Sequence, residues 1–291
     1  MKKRIFALGF FDGVHRGHQA LLSACRTLAA EEGCGTAAIT FENHPQSLFS
    51  STSPLLINSV ADRKTLLARF GMDYVEMLPV TKEVMSTEWE AFLRSLVCRG
   101  AAGFVCGDDF RFGNRGEGNA RHLAQFCQEH NLPCAVVPEQ TVEGVRVSST
   151  HIRSLLEAGD VQSAVRFLGH PHILTGEVVS GQHLGRTLGT PTANLRIPEG
   201  VICPRYGVYA CRALVEGRTF LAVTNVGTRP TVEGRTVTVE PWLLDYSGDL
   251  YGKTMTLEFH HFLRPERKFD SLEALRAEIQ NNAIQTRQYF A

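Results

Sequence analysis

The chain has 291 residues, of which 43% are hydrophobic and 21% charged, and its 30 basic and 30 acidic side chains give a formal net charge of zero. This length suits two domains better than one compact core. The composition is that of an ordinary soluble globular protein, and without a basic excess it gives no electrostatic support for binding nucleic acid or a membrane surface.

The N-terminus is basic over Met1–Arg4 and then apolar, which is also how a signal peptide begins. The apolar run stops at Asp12 after seven residues and no small-residue cleavage site follows, so we interpret it as a strand. No stretch approaches the roughly 20 apolar residues of a membrane span. The eight cysteines stand singly, which favours free thiols over disulfides or a zinc site. We therefore expect a cytoplasmic protein, and no obligate protein partner is evident.

Up to about residue 140, short apolar runs alternate with amphipathic stretches. This alternation predicts βαβ units and a mostly parallel sheet. The predicted strands are Arg4–Phe10, Thr36–Phe41, Tyr74–Leu78, Gly103–Gly107 and Cys134–Pro138. The predicted helices are Gln19–Glu32, Asp62–Phe70, Thr87–Arg99, Ala120–His130, Thr150–Ala158 and Val161–Leu168.

After Gly169 the pattern changes to strand-like runs joined by turn residues. That spacing predicts an antiparallel all-β domain, most simply a small barrel, closed by an amphipathic helix from Ser271 to Arg287. The predicted strands are Ile173–Val179, Val208–Val215, Phe220–Asn225, Thr236–Leu244 and Thr254–Phe262. We place the domain boundary at the change of pattern, which gives domains of residues 1–169 and 170–291.

The segment Gly9–His18 joins the first predicted strand to the first helix. Glycines at positions 9, 13 and 17 let the backbone turn tightly and let a phosphate group approach it. The helix start supplies unpaired N–H groups and a positive dipole end, and His15 and His18 would stand where they can donate hydrogen bonds to phosphates. A Gly-rich turn with ordinary surface histidines is the alternative. The position directly after the first strand favours a nucleotide site.

Two later segments are expected at the same edge of the sheet. Gly107–Gly113 follows the fourth predicted strand, and Val147–Arg153 stands at a helix start. The hydroxyls of Ser149 and Thr150 could cap that helix or hold phosphate, and Arg153 adds a cationic fork that suits phosphate geometry. Taken alone, a Ser-Ser-Thr sequence before a helix is usually only a cap.

Three segments of the second half carry polar side chains suited to phosphate chemistry. Gly185–Asn194 is a Gly-rich turn in which Thr192 and Asn194 offer hard oxygen atoms for Mg²⁺, although a polar hairpin loop is the alternative. Asn225–Thr231 follows a strand, where backbone amides could face a ligand. Glu240 stands in an apolar β-like run, so its carboxylate is either at a site or paired. Because Pro241 lacks a backbone donor, we expect an edge or distorted strand there.

These motifs resemble a known family. Gly9–His18 and Val147–Arg153 are similar to signatures of the HIGH-type nucleotidylyltransferases, in the form found in prokaryotic bifunctional riboflavin kinase/FMN adenylyltransferases (FAD synthetases). Gly185–Asn194 resembles the riboflavin kinase signature of the same family, and Asn225–Thr231 is a second match. The resemblance implies an α/β N-terminal domain with a Rossmann-like parallel sheet, and a C-terminal antiparallel β-barrel with a terminal helix.

The resemblance also implies an activity for each half. The barrel would phosphorylate riboflavin to FMN with MgATP, and the N-terminal domain would then transfer AMP from ATP to FMN. His15 and His18 would stabilise the triphosphate, Thr150 and Arg153 would bind the leaving phosphates, and Asp109 and Phe110 would lie near nucleotide or flavin. The other implied ATP contacts of this half are Gly9, Phe11, Asp12, Gly17 and Ser149. Asn43 stands where the family often has proline.

For the barrel, the resemblance makes Glu240 the general base that takes the proton of the riboflavin hydroxyl. Thr192 and Asn194 would hold Mg²⁺, and the implied ATP contacts are Gly185, Gly189, Pro191, Asn225 and Arg229. The chain departs from the family at Pro241–Trp242, where a Thr-His pair or similar is common. Two alternatives remain, an enzyme with only one functional activity and a nucleotide- or flavin-binding regulatory module. Phosphate-transfer groups in both halves favour the bifunctional enzyme.

Overall fold

The structure is a computed structural model that describes residues 2–48, 53–180, 190–231 and 234–291, with the backbone alone for 229–231 and 234–236. The chain forms two compact units. The first comprises Met1–Leu56 and Val60–Ser149, and the second comprises Ile57–Ser59 and Thr150–Ala291.

The first unit is built on a parallel five-stranded sheet. The strands of the whole unit are β1 (Arg4–Leu8), β2 (Gly35–Phe41), β3 (Tyr74–Leu78), β4 (Ala101–Gly107), β5 (Arg111–Phe112), β6 (Gly118–Asn119), β7 (Cys134–Val137), β8 (Thr141–Val142) and β9 (Val145–Arg146). Its helices are α1 (Arg16–Glu31), α2 (Val60–Arg69), α3 (Lys82–Met85), α4 (Trp89–Cys98) and α5 (Ala120–Glu129). The sheet order is β3-β2-β1-β4-β7, and the pairs β5-β6 and β8-β9 form separate two-stranded ribbons.

The central strand β1 is buried on both faces, as its continuous apolar sequence requires. On one face Phe6 and Leu8 pack with Phe104 of β4 and with Phe126 of α5. The strand ends at Leu8, two residues before the predicted end, because the chain turns away after Gly9. The parallel sheet predicted from the alternating pattern is confirmed.

Helix α1 begins at Arg16, three residues before the predicted start at Gln19. The cause is the cap, because the Nδ1 atom of His15 accepts a hydrogen bond from the backbone N–H of His18 at 3.3 Å. Histidine is not among the residues usually taken as N-terminal caps, so sequence patterning places the start too late.

The second unit is a closed antiparallel barrel with helices against it. Its elements are α6 (Ser149–Ala158, beginning with the last residue of the first unit), α7 (Val161–Leu168), β10 (His172–Val179), β11 (Asn194–Arg196), β12 (Gly207–Val215), β13 (Arg218–Thr231), β14 (Gly234–Leu243), β15 (Thr254–Arg264) and α8 (Leu272–Phe290). The barrel order is β10-β11-β14-β13-β12-β15. Alternate residues Met255, Leu257 and Phe259 of β15 are fully buried, which is the period-2 pattern of a barrel wall. The predicted barrel and terminal helix are confirmed.

Pro241 does not disturb its strand as the sequence suggested. β14 lies between β11 and β13, and its register with β13 runs without a shift from Leu243 to Gly234. The carbonyl of Pro241 accepts a hydrogen bond from the backbone N–H of Ala193 at 2.8 Å. Since N and C=O of one strand residue point to the same side, the nitrogen of Pro241 also faces away from β13. The expectation of an edge or distorted strand is therefore wrong.

Two further observations concern the whole described chain. None of its helices is both long enough and apolar enough to cross a membrane, as far as the described residues go. All eight cysteines lie in the described ranges and are free thiols.

Candidate active sites

A cavity of about 390 Å³ opens at the carboxyl edge of the parallel sheet in the first unit. Its walls come from the segments after β1, β2, β4 and β7 and from the start of α1. Parallel strands converge their carboxyl ends on one edge, and open α/β sheets place ligand sites there. The cavity brings together seven of the predicted site residues, namely Gly9, His15, Gly17, His18, Asp109, Phe110 and Ser149.

Phe11 and Asp12 lie beneath the cavity and do not line it. Phe11 is fully buried and Asp12 is 1% exposed. The hydroxyl of Ser149 donates to the carbonyl of Asp12 at 2.9 Å, which joins the turn to the last residue of the first unit. Thr150 and Arg153 belong to the second unit, so their contacts with the nucleotide stay a prediction.

The two histidines form one stacked pair at the start of α1. Their ring centroids are 3.6 Å apart and the planes are inclined by 12°. Because Nδ1 of His15 accepts the N–H of His18, the proton of a neutral His15 ring stands on Nε2, which is then a donor. A Cβ atom on Gly17 would stand 3.2 Å from the His15 ring, so a side chain there would push this ring aside.

The turn before the pair has an unusual backbone. Phe11 and Val14 have positive φ angles of 54° and 39°, in the left-handed region that non-glycine residues rarely adopt. The Phe11 ring lies 5.2 Å from the His18 ring, edge to face. Strained residues of this kind cluster at functional sites and persist where surrounding contacts fix them.

His18 is held neutral. Burial, followed by His15 and then Arg63, lowers the pKa of His18 well below its usual 6.5. A neutral imidazole keeps one N–H to donate, so His18 can contact a phosphate oxygen by a hydrogen bond without carrying a positive charge.

Arg63 and Arg146 are two cations of this unit that the sequence motifs did not include. Arg63 is fully buried on α2, behind the turn. Arg146 of β9 lines the cavity and pairs with Asp109 at 2.6 Å and with Glu139 at 3.0 Å. All three side chains of this network are more than two-fifths exposed, so the network is solvent-screened. The sequence does carry one sign of Arg63, because this charged residue stands between Asp62 and the apolar Leu66 and Leu67, all of which are buried in α2.

A second groove of the first unit is larger and mostly apolar. Its volume is about 440 Å³, and Pro45, Leu48 and Met85 line it together with the cationic side chains of Lys82 and Arg115. Pro45 also lines the cavity at the sheet edge. The two spaces therefore share one wall residue.

The barrel has its own cavity of about 360 Å³. Three predicted residues line it, namely Thr192, Asn225 and Glu240. Asn225 and Glu240 are direct register partners across β13 and β14, so their side chains leave the same face of the sheet. This placement puts a carboxylate and an amide side by side at the wall of a partly enclosed space.

The other predicted barrel residues are placed differently. Asn194 does not line the cavity and instead starts β11, where it pairs with Val179. Pro191 is exposed and also lies outside the lining. Gly185 and Gly189 fall outside the described residues, and Arg229 is described by its backbone alone, in β13. Their assignments stay predictions.

The barrel cavity is also lined by a charged cluster that the sequence analysis missed. Arg264 and Arg267 line the cavity, and Glu278 of α8 pairs with both, at 3.1 Å and 2.6 Å. Both guanidinium groups lie over the ring of Phe269, at 5.5 Å and 4.9 Å from its centroid. Burial lowers the pKa of Arg264, and Glu278 partly offsets this effect. Glu266 completes the wall and accepts a hydrogen bond from Asn225 at 3.4 Å.

Family models match the chain in two consecutive pieces. A FAD synthetase model matches residues 1–151, and a riboflavin kinase model matches residues 168–290. The first match contains the whole cavity at the sheet edge, and the second contains the whole cavity of the barrel.

Relatives match over nearly the full length of the chain. A bifunctional riboflavin kinase/FMN adenylyltransferase of Listeria monocytogenes is 32% identical over 99% of this chain and 93% of its own. One of Pseudomonas fluorescens is 36% identical over 94% of this chain and 89% of its own. A crystal structure from Streptococcus pneumoniae, described as a macrolide-efflux protein, superposes with a TM-score of 0.88 at 29% identity, covering 98% of this chain and 94% of that one.

Proposed function

The chain belongs to the family of bifunctional riboflavin kinase/FMN adenylyltransferases, and on that premise we propose which of its residues carry each reaction. The enzyme converts riboflavin and ATP to FMN and ADP, and FMN and ATP to FAD and pyrophosphate. The order of the two family models assigns the first reaction to the barrel and the second to the N-terminal domain.

The adenylyl transfer takes place in the cavity at the sheet edge. The FMN phosphate attacks the α-phosphorus of ATP in line, and pyrophosphate leaves, so the protein contributes positioning and charge stabilisation. His15 donates from Nε2, and neutral His18 adds a second donor beside it. The N–H groups at the start of α1 face the same phosphates. The stacked histidine pair at a helix start is the observation that carries this assignment.

The flavin of FMN fits the apolar groove beside this cavity. An isoalloxazine ring is flat and largely apolar, and Leu48 and Met85 offer apolar surface for it. Pro45 borders both spaces, which lets the FMN phosphate reach the nucleotide while the ring lies in the groove. Phe110 lines the nucleotide cavity, and its ring centroid lies 5.7 Å from that of Phe112, in a stacked arrangement.

In the barrel, Glu240 acts as the general base for the riboflavin hydroxyl, which then attacks the γ-phosphorus of ATP. Its place in the cavity, next to Asn225 and on the same wall as Thr192, supports this role. Mg²⁺ fits the oxygen donors of this wall, because Thr192 and Asn225 offer neutral oxygens and ATP supplies the rest. When bound, Mg²⁺ neutralises charge on the phosphates. Asn194 is proposed as a further ligand on family grounds alone.

Each domain is proposed to carry its own core and reaction, with the boundary between residues 169 and 170. A cytoplasmic location is part of the same proposal. The free state of all eight cysteines supports it, since disulfides persist mainly in oxidising compartments.

A pair of variants tests the two assignments in one experiment. His18→Ala is expected to lower FAD formation about a hundredfold or more, because one lost donor to a developing charge is worth roughly 3 kcal/mol, and to leave FMN formation unchanged. Glu240→Gln is expected to lower FMN formation by roughly 10²–10⁴-fold and to leave FAD formation from supplied FMN unchanged. Products are separated by chromatography after incubation with riboflavin or FMN and MgATP.

Matched controls come from the same domains. His122→Ala changes a histidine of the first unit, and Glu216→Gln changes an exposed carboxylate of the barrel; neither lines a cavity described above. Wild-type FAD output from folded His18→Ala protein would remove the histidine from the site. Normal FMN turnover per folded molecule with a lowered melting temperature in Glu240→Gln would show that Glu240 only supports the barrel.

A further inference from the structure

Arg63 of α2 is the largest fully buried side chain of the described chain, with an exposure of 0%. Arginine is among the side chains least often buried completely, and a buried guanidinium is costly unless other groups satisfy it. The sequence motifs do not include Arg63, and it does not line the nucleotide cavity. We therefore infer the role of Arg63 from the groups to which it donates hydrogen bonds.

Arg63 joins two turns of the nucleotide site. Nη1 donates to the carbonyl of Phe10 at 3.0 Å, and Nη2 donates to the carbonyl of Glu42 at 2.9 Å. Phe10 follows β1 and Glu42 follows β2, and these two strands are direct neighbours in the sheet. Phe10 lines the cavity itself, as do Phe41 and Pro45 on either side of Glu42. The planar guanidinium group of Arg63 thus links two walls of the cavity and sets the spacing between them.

The carbonyl of Phe10 is anchored twice. It accepts the hydroxyl of Thr40 at 2.6 Å in addition to the guanidinium of Arg63, which also lies 4.9 Å from the centroid of the Phe10 ring. This peptide group immediately precedes Phe11, whose φ of 54° begins the strained turn. Fixing the peptide plane fixes the direction in which the chain enters that turn, and the turn leads directly into the histidine pair.

The charged and titratable groups around Arg63 come from four parts of the chain. The turn contributes Asp12, whose carboxylate offsets the lowering of the Arg63 pKa by burial. Helix α1 contributes His15 and His18, and Arg63 is the third cause of the lowered pKa of His18. The segment after β2 contributes Glu42 and His44, and α2 itself contributes the buried Asp62; the His44 ring contacts Phe10 at 5.0 Å.

We propose that Arg63 is a positioning residue of the adenylyl-transfer site, which ties the turn after β1 to the turn after β2 and so holds His15 and His18 where they meet the nucleotide. It acts through these turns and does not touch substrate. The proposal rests on the proposed role of the two histidines.

Two substitutions separate the effect of the paired hydrogen bonds of Arg63 from the effect of its positive charge. Arg63→Lys keeps a cation but cannot bind both carbonyls in one plane, and it should lower kcat for FAD formation about 10- to 100-fold, since small misplacements at a reacting centre cost up to about a hundredfold. Arg63→Met also removes the charge. We expect the acid limb of its pH–rate profile to move to higher pH, because the pKa of His18 rises when a nearby cation is lost. FMN formation by the barrel should be unchanged in both variants.

Arg69→Met is the matched control, because it removes an exposed arginine from the same helix and should leave both activities at the wild-type level. Thr40→Val removes the second anchor of the Phe10 carbonyl at nearly constant volume. It should lower kcat for FAD formation severalfold, and it tests the same idea if the Arg63 variants do not fold.

Three outcomes are decisive. Folded Arg63→Lys and Arg63→Met proteins with wild-type kcat for FAD formation would overturn the proposal, even if their melting temperatures fall. If the Arg63 variants do not fold, wild-type kcat in Thr40→Val would overturn it. His18→Ala, assayed alongside, separates this inference from the proposed function. Normal FAD formation in His18→Ala would overturn the assignment of the site itself. Loss of FAD formation in His18→Ala, together with normal FAD formation in the Arg63 variants, would overturn only the role of Arg63.

Discussion

Acidification from about pH 8 to about pH 5 is expected to destabilise the barrel unit through one buried histidine. His172 opens β10, has an exposure of 0%, and packs its ring 5.8 Å from the ring of Phe259. Burial, followed by the neighbouring His170, lowers the pKa of His172 from 6.5 to about 3. The folded barrel therefore holds His172 neutral over the whole range in which an exposed histidine takes up a proton.

The sign and size of the effect follow from this difference. Above about pH 6.5 the imidazole is neutral in both the folded and the unfolded chain, so His172 contributes no pH dependence. Below that value only the unfolded chain binds the proton, and the free energy of unfolding falls by about 1.4 kcal/mol for each further pH unit. At about pH 5 the loss from His172 is about 2 kcal/mol, and it continues to grow until the pH nears the folded pKa.

Urea unfolding of wild-type and His172→Phe proteins at several pH values measures this contribution. The difference between the two free energies of unfolding should change by about 2 kcal/mol between about pH 8 and about pH 5. His18, whose pKa is also strongly lowered, is present in both proteins and cancels from the difference. Ile173→Val is the control, since its cost of roughly 1 kcal/mol should be the same at every pH. A difference that does not change with pH would refute the reasoning.

Two further predictions concern the construction of the barrel. Gly176→Ala should destabilise the barrel unit by roughly 2–3 kcal/mol in urea unfolding, because the new Cβ would overlap the backbone carbonyl of Arg196 in the adjacent strand. Gly217→Ala is the control, since a Cβ there has no atom within 4 Å, and it should cost only about 1 kcal/mol because the backbone of Gly217 is left-handed. Equal losses of stability in the two variants would contradict the predicted steric clash. A protein of residues 170–291 should convert riboflavin to FMN alone, and one of residues 150–291 should do so with a higher melting temperature, because α7 buries Val161, Ala164 and Leu168 within the same unit. If only the longer protein folds, the boundary lies near residue 150.

The regular elements of this chain were predictable because their patterns are local. Helix α7 was predicted with the observed ends, since Asp160 caps its start and Gly169 adopts a left-handed conformation at its end. The strand β11 has three residues and was missed, because a period of two cannot be read from so short a run. The ribbons β5-β6 and β8-β9 were missed for the same reason.

The site was predictable where topology alone brings residues together. Gly9, His18 and Asp109 follow neighbouring strands of a parallel sheet, and the carboxyl ends of such strands meet at one edge. Arg146 and the cluster of Arg264, Arg267 and Glu278 could not be found this way. Their pairing depends on which loop or helix packs against which strand, and that information is not local in the sequence.

The first cavity and the barrel cavity use positive charge differently. In the first, Arg63 stands behind the turn, while Arg146 lines the wall in pairs with Asp109 and Glu139 and Arg111 is a further cation of the lining. At the start of α1 itself, the phosphates of ATP would meet the histidine pair and backbone N–H groups. In the barrel, Arg264 and Arg267 stand in the wall itself, tied to Glu278.

At the start of α1 the donors are a stacked histidine pair, in which His18 has a lowered pKa, and the N–H groups of the helix. Neutral donors aimed by a rigid turn act mainly on charge that develops during transfer. Their value depends on exact placement, because a neutral hydrogen bond weakens steeply with distance and angle whereas a charge does not. A site built on neutral donors therefore needs a stiff frame, and the doubly anchored carbonyl of Phe10 provides one.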